Sequence, residues 1–352
     1  RDVLGSRGLG DVYKRQGEVL ALIGGNNYSK SQFNRATKAK RQVGSTMKPL
    51  LYYSALESGF TSSSSFTSEK TTFTFSGGKS YSPKNYNDRY AEGPLSMEAA
   101  IAYSDNIYAV KTHLFLGESN LINTAKRLGI TSNLSEVPSL ALGTSEISLI
   151  EMTSAYSCFA SLGYKTTPHF IKKIEDSKGN ILYENKEEKE LLLNPSLTYI
   201  LNEMLTSTYN KNFINYNYPT LISLLPQITH KYAIKSGTTD TDLLIMGYNK
   251  NVVLGVWNGY DNNTKIDSSE YSHHKNIWID TMESYFKQKE ASWYEIPNNV
   301  VGVLTDPITG ALATDETQNK EMFFYLKGTE PSAESNYKDL EAVFQEENNS
   351  ST

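Results

Sequence analysis

Hydrophobic and polar positions follow two periods along this chain, and both mark out its elements. Residues 17–25, GEVLALIGG, form a short apolar run closed by a glycine pair, the pattern of a buried strand and a turn. A polar, basic loop over 26–43 leads into Gly44-Ser45-Thr46-Met47-Lys48-Pro49. From Ser45 the apolar positions Met47, Leu50, Leu51 and Ala55 recur at helical spacing, and Gly59 supplies a stop. Pro49 is tolerated because the first turn of a helix has no amide partners to lose. The pattern therefore places Ser45 at a helix N-terminus.

Residues 60–95 are rich in Ser, Thr, Gly and Tyr with short alternating stretches such as 71–75, which predict hairpins and loops. Helical spacing returns over 96–103 and 107–116, with Ser104-Asp105-Asn106 at the junction, and again over 121–128. A longer helix is predicted over 148–162, opened by the capping-box pair Ser148 and Glu151 and closed at Gly163. Residues 170–184 read as a hairpin around Asp176-Ser177-Lys178-Gly179, and Asn194-Pro195 opens a helix to about residue 209. Strand-like runs follow at 231–235, 243–248 and 252–260, then a helix over 274–287 and a strand over 300–305. No internal repeat is visible. Strands at both ends of the chain order with helices between them predict an α+β fold, the strands near 20 and at 235–260 sharing one sheet.

Composition narrows the class. With 38% apolar residues and 24 tyrosines in 352, the chain can bury a sizeable core, which excludes wholesale disorder. No uninterrupted apolar run exceeds five residues, so none spans a bilayer or serves as a signal-peptide core. The net charge is 34 − 39 = −5, and residues 329–352 carry all of it, with six acidic side chains against Lys338. The remaining 33 basic and 33 acidic residues balance, which leaves no electrostatic footprint for nucleic acid. The acidic end reads as a solvated, disordered tail. Residues 1–16, RDVLGSRGLGDVYKRQ, lack apolar periodicity, resemble translated adapter sequence and are set outside the fold as an assembly-derived segment. Cys158 is the single cysteine, which permits no internal disulfide or thiolate cluster, and its apolar helical context reads as a core thiol.

Three short motifs occur in order: Ser45-Thr46-Met47-Lys48, Ser104-Asp105-Asn106, and Lys235-Ser236-Gly237-Thr238-Thr239. S-x-x-K alone is weak, because it recurs at Ser76, Ser272, Ser284 and Ser335, whereas S-x-N and K-[ST]-G each occur once. On a helix, residues i and i+3 face one side roughly 5–6 Å apart at Cβ, so the Lys48 amine can reach the Ser45 hydroxyl. A serine becomes a good nucleophile when a neighbouring base takes its proton. Lysine is that base only when neutral, which at pH 7 means lowering a pKa of about 10.4 by roughly three units, or about 4 kcal/mol. Burial and a second cation do this, and Lys235 is the candidate. The helix N-terminus adds amide hydrogens where an oxyanion would develop, so the three motifs together describe an acyl-transfer site.

Beyond these motifs, GEVLALIGG, FNRATKAKRQVGSTMKP at 33–49, PKNYNDRYAEGPLSMEAAIAYSDNIYAV at 83–110, LALGTSEISLIEMTSAYSCFASLG at 140–163 and GYNKNVVLGVWNGYD at 247–261 carry a wider likeness. Over about residues 17–328 the chain resembles the transpeptidase domain of class A penicillin-binding proteins. The resemblance implies a β-lactamase/transpeptidase-like fold, an antiparallel sheet packed between helices with an all-helical subregion. It also implies a bacterial D,D-transpeptidase, with D,D-carboxypeptidase side activity, that cross-links peptidoglycan. Ser45 would attack a stem peptide ending in D-Ala-D-Ala, with Lys48 as base. Ser104 would relay a proton to the leaving nitrogen, and Asn106 would hold the donor's amide. Lys235 would keep the local field positive, the Ser236 and Thr238 hydroxyls would receive the terminal carboxylate beside Gly237 and Thr239, and the backbone amides of Ser45 and Thr238 would form the oxyanion hole. No metal or organic cofactor is implied. The implied partners are the donor peptide, an amine acceptor and β-lactams, and the parent would be membrane-anchored in cell-wall synthesis complexes on the extracytoplasmic face. The family's anchor and glycosyltransferase domain are not in this sequence, so it reads as a fragment without glycan polymerisation.

Two other functions share parts of this pattern. A serine β-lactamase also uses a glutamate in E-x-x-L-N to activate water, and Glu190-Leu191-Leu192-Leu193-Asn194 matches literally. That glutamate lies 86 residues after Ser104, much farther than in those enzymes, and Asn194 is explained as a helix cap. A β-lactam sensor domain would acylate without turnover. His273 and His274 are adjacent and so point to different helix faces, which reads as a polar helix start rather than a metal pair. Trp257 and the nearby tyrosines read as sheet packing, and the Tyr- and Asn-rich stretch at 209–230 as a lining of the substrate groove.

Overall fold

The computed structural model describes residues 2–11, 15–25, 27–186, 190–332 and 340–344, the first sixteen by their backbone only. Its strands are β1 (Asp2–Asp11), β2 (Arg15–Leu22), β3 (Lys40–Gln42), β4 (Ser65–Ser68), β5 (Phe73–Thr74), β6 (Ser80–Tyr81), β7 (Gly93–Ser96), β8 (Glu146–Ser148), β9 (Lys173–Glu175), β10 (Ile181–Glu184), β11 (Ala233–Thr238), β12 (Asp242–Tyr248), β13 (Val252–Gly259), β14 (Val300–Thr305) and β15 (Glu321–Leu326). Its α-helices include α1 (Arg35–Lys38), α2 (Lys48–Glu57), α3 (Met97–Tyr103), α4 (Asn106–Leu116), α5 (Glu118–Arg127), α6 (Leu149–Ala160), α7 (Pro195–Met204) and α8 (His273–Phe286).

The principal sheet is antiparallel in the order β11-β12-β13-β1-β2, so strands from both ends of the chain order do share one sheet. Side chains alternate across it. From β12 and β13, Leu244, Met246, Tyr248, Val253 and Trp257 join the large core that contains α2, α3 and α6. Ile245, Leu254 and Val256 face the other way and pack with Trp278, Ile279, Met282 and Phe286 of α8 in a second core. Gly247 is needed for this approach, since a Cβ there would run into the Trp278 ring. Helix α2 is buried all round from Lys48 to Leu56, the signature of a helix at the centre of a domain. Helix α6 has the predicted capping box, Ser148 and Glu151 each bonded to the other's backbone. Asn194 caps α7 through Ser196 N and Leu197 N, as expected from Asn194-Pro195.

Two stretches differ from the sequence reading. The backbone of residues 2–11, set outside the fold, is placed as β1, paired from Asp2↔Gly259 to Leu9↔Val252 with β13 and with β2 on its other side. The ladder supplies the reason: without it, the inner edges of β13 and β2 would both be open. Within the acidic end, Leu340 and Phe344 are 2% and 7% exposed, so this part of the expected tail is docked. Net charge concealed an apolar i, i+3, i+4 stripe at Leu340, Val343 and Phe344. The hairpin β9-β10 forms as predicted, with Ile174, Ile181, Leu182 and Tyr183 exposed.

Candidate active site

Ser45 lies in a 3₁₀ turn, Gly44–Met47, and the α-helix proper begins at Lys48. In a 3₁₀ turn residues i and i+3 eclipse, which sets the Ser45 and Lys48 side chains on one side. Backbone contacts hold one side of this turn in place. Gly44 has φ 55°, a left-handed conformation suited to glycine, and its N–H donates to Gly143 O at 3.1 Å. A Cβ on Gly143 would overlap the Gly44 carbonyl, and one on Gly237 would stand 2.5 Å from Val43 O and 3.1 Å from Thr46 N. The strand β11 therefore packs closely against the Ser45 turn, which brings Thr238 N beside Gly44. On the far side the Tyr156 hydroxyl donates to Thr46 O at 2.7 Å.

The second motif is a reversal between two helices. Ser104 caps α3 with φ 56° and ψ 44°, and Asp105 caps α4 by accepting from Tyr108 N at 2.8 Å. The Asp105 carboxylate, on a residue 2% exposed, also accepts from the Ser68 hydroxyl at 2.5 Å and Asn85 Nδ2 at 2.6 Å. Asn85 in turn accepts from Asn106 N at 2.7 Å through its Oδ1. Held this way, the reversal presents four acceptors to the fully buried Lys48 ammonium: Ser104 O at 2.7 Å, Ser104 Oγ at 3.2 Å, Asp105 O at 3.1 Å and Asn106 Oδ1 at 2.7 Å. Asn106 Nδ2 donates to Lys84 O at 2.7 Å, which fixes the orientation of the amide.

Lys235 reaches the same reversal from β11. Its Nζ donates to Ser104 Oγ at 3.0 Å and to Ser236 O at 2.9 Å, so the Ser104 hydroxyl bridges the two lysines. Burial pushes both amines down. Lys48 falls to about 7, a shift the Asp105 carboxylate partly opposes. Lys235 is likewise pushed well below the ordinary lysine value, through burial and then the repulsion of Lys48 and Lys275. Two buried ammonium groups sharing one hydroxyl titrate as a pair, and the neutral form is favoured for one of them. Ser236 and Thr238 alternate with Lys235 and Gly237 along the edge strand β11, Ser236 nearly buried and Thr238 exposed. The Thr239 hydroxyl is committed to the turn into β12, accepting from Asp242 N at 2.9 Å and Thr241 N at 3.2 Å.

All three motifs therefore meet, with one departure from the helical-spacing argument. Lys48 is turned toward Ser104, Asp105 and Asn106, and among the described residues no hydrogen bond joins it to the Ser45 hydroxyl. Free active sites often hold such bonds open. The 209–230 stretch lies against the C-terminus of α3, Thr220 N donating to Ala102 O at 2.9 Å and the Tyr216 ring 5.1 Å from that of Tyr103. Glu190 is exposed and paired with Lys165 at 2.9 Å. Cys158 is buried, and Trp257 is packed in the sheet, its Nε1 donating to Asp242 Oδ1 at 2.7 Å. Sequence reasoning missed Asn85 and Tyr156, which position the two turns. Both lie in stretches that carry the family likeness, but nothing local distinguishes them from a loop asparagine and a core tyrosine.

The sequence pattern of the family described as penicillin binding protein transpeptidase domain matches residues 12–266. The chain is 44% identical over 326 residues to penicillin-binding protein 2D of Bacillus subtilis (strain 168), across 92% of this chain and 47% of that protein. It is 36% identical over 326 residues to penicillin-binding protein 1A of Aquifex aeolicus (strain VF5), across 90% and 43%. The chain thus spans about half the length of these curated relatives. Among solved structures, penicillin-binding protein 1A from Haemophilus influenzae matches with a TM-score of 0.83 at 26% identity, over 94% of this chain and 54% of that one. The PonA1 protein from Mycobacterium tuberculosis in complex with penicillin V shares the fold, with a TM-score of 0.65 at 20% identity over 84% and 81%.

Proposed function

Because the chain belongs to the penicillin-binding protein transpeptidase domain family, we propose that it is a peptidoglycan D,D-transpeptidase that forms an acyl-enzyme on Ser45 with stem peptides ending in D-Ala-D-Ala. The Ser45 hydroxyl attacks the carbonyl of the penultimate D-Ala and passes its proton to neutral Lys48. The C–N bond then breaks, and Ser104 relays a proton to the departing D-Ala nitrogen. An acceptor amine attacks the ester, a new amide forms, and Ser45 regains its proton. Water in place of the amine gives the D,D-carboxypeptidase side reaction.

The observation that carries this reading is the Ser104 hydroxyl, 3.2 Å from Lys48 Nζ and 3.0 Å from Lys235 Nζ, which supports a proton relay between the two lysines. The amides of Ser45 and Thr238 form the oxyanion hole, each donor contributing roughly 3 kcal/mol in comparable sites. Ser236 and Thr238 receive the terminal carboxylate, Lys235 keeps their surroundings positive, and Asn106 holds the donor's amide. As an edge strand, β11 offers backbone groups to an extended peptide. The setting we infer is the extracytoplasmic face of the bacterial membrane, within a longer, anchored protein. Among the described residues no helix is long and apolar enough to cross a membrane.

Incubating the chain and its Ser45→Ala variant with fluorescent penicillin tests the assignment. A persistent covalent adduct by mass is expected on the unaltered chain and none on the variant. Normal labelling of the variant removes Ser45 from the mechanism, and no adduct on the unaltered chain removes acyl transfer altogether. An adduct lost within minutes points to a serine β-lactamase. One that persists, with no joining of stem peptide to an amine acceptor, points to a sensor.

A further inference from the structure

The strand β4 pairs with β7 along one edge, Met97 N donating to Ser64 O and Glu92 N to Ser68 O. Ser65 and Thr67 therefore turn their backbone groups to the opposite edge, which among the described residues no other strand covers. The partners there come from the end of the chain and from α4. Leu340 N donates to Ser65 O at 2.9 Å, Thr67 N donates to Glu341 Oε2 at 2.9 Å, and Lys111 Nζ donates to Thr67 O at 2.9 Å. Both Glu341 oxygens also bind Lys111 Nζ, at 2.8 and 2.7 Å, with the lysine side chain 2% exposed and the glutamate 16%. The Phe344 ring packs 5.7 Å from that of Phe66 on β4 and lies 6.0 Å from Lys111 Nζ.

Glu341 thus ties the strand β4 to the helix α4, and both lead to one residue. Ser68, the last residue of β4, donates its hydroxyl to Asp105, while Asp105 is the N-cap of α4, the helix that carries Lys111. We propose that residues 340–344 form a C-terminal clip in which Glu341 is a positioning residue: by holding β4 against α4 it keeps Asp105, and with it the Ser104 and Asn106 groups around Lys48, in the geometry that acylation needs. The part concerning acylation rests on the function proposed above, and the part concerning the geometry of the reversal does not. Without the carboxylate, Lys111 would remain buried with Thr67 O as its remaining hydrogen-bond acceptor, and β4 could part from α4.

The test compares the full chain with its Glu341→Ala and Glu341→Gln variants by amide hydrogen exchange and by the concentration dependence of acylation by fluorescent penicillin. In Glu341→Ala, exchange over residues 104–112 should rise about tenfold or more while that of β11 to β13 stays put. Its acylation rate constant should fall roughly three- to tenfold with little change in half-saturation. Glu341→Gln keeps an acceptor for Thr67 N and should fall between the two, and it decides the matter if Glu341→Ala does not fold. Unchanged exchange at 104–112, a rise spread evenly over the domain, or slowing that lies wholly in half-saturation would overturn the proposal. If even the unaltered chain takes no label, the function proposed above fails, and the exchange comparison still decides the clip.

Discussion

Lys48 has no exposed surface, yet its amine sits among acceptors that suit a charged group. Burial outweighs them and lowers its pKa from 10.5 to about 7. The sign of the linked stability follows directly. Between about pH 7 and 10.5 the unfolded chain holds the extra proton, so raising pH through that window stabilises the fold. Below it the cost of burying the charge is present in full, about 5 kcal/mol at 1.36 kcal/mol per pKa unit. Under the function proposed above the same titration controls chemistry, because the neutral amine is then the base. Acylation by a β-lactam should therefore rise with pH with a midpoint near 7. A rate that stays flat from well below neutrality to well above it would remove Lys48 as the base. Ser45, Lys48, Ser104, Asn106 and Lys235 were legible in the sequence because three motifs in order are rare. Asn85 was not, since its place depends on a loop from the eighties folding back onto residue 105.

Among the elements, α6 was read almost to its ends because its signals are local. Ser148, Glu151 and Gly163 each act within a few residues. Burial alone would raise the Glu151 pKa, but hydrogen bonds from Ser148, Ser132 and Thr131 prevail and hold it at about 2. Its stabilising effect is present above the ordinary value of 4.5 and is lost as pH falls through about 2. Glu151→Ala should cost on the order of 1–2 kcal/mol by urea unfolding at pH 7, with a smaller difference at pH 3. An equal cost at both values would show that its charge is not what matters. The Ser45 turn was less legible. Apolar spacing over 45–55 carries the helix but does not separate a 3₁₀ first turn from an α one, and the glycines that settle it, Gly143 and Gly237, lie far along the chain.

For the molecule as a unit, the family pattern ends at 266 but the packing does not. Trp278 Nε1 donates to Leu254 O at 3.0 Å, Ser96 N to Ile308 O at 2.7 Å, and the Tyr325 hydroxyl meets Ser63 Oγ at 2.6 Å. A chain ended after residue 266 should therefore fail to unfold cooperatively in a thermal melt. A sharp transition near that of the full chain would show the later elements to be dispensable. The α+β class and the sharing of the principal sheet by strands near 20 and at 235–260 were legible because strand runs stand out even when far apart. The docking of 340–344 was not, since charge counting averages over the few apolar residues that matter.

The reversal at Ser104 has a wider consequence. Its φ of 56° puts a serine in the left-handed region, where a β-branched side chain is strongly disfavoured. Threonine would keep the hydroxyl that bridges the two lysines but resist the backbone, whereas glycine or asparagine would accept the backbone and lose the hydroxyl. Two unrelated demands, one of stereochemistry and one of hydrogen bonding to both lysines, thus converge on a single residue type. Variation that reshapes this cleft is left to its unstrained neighbours, because at position 104 the genetic alphabet offers almost no synonym.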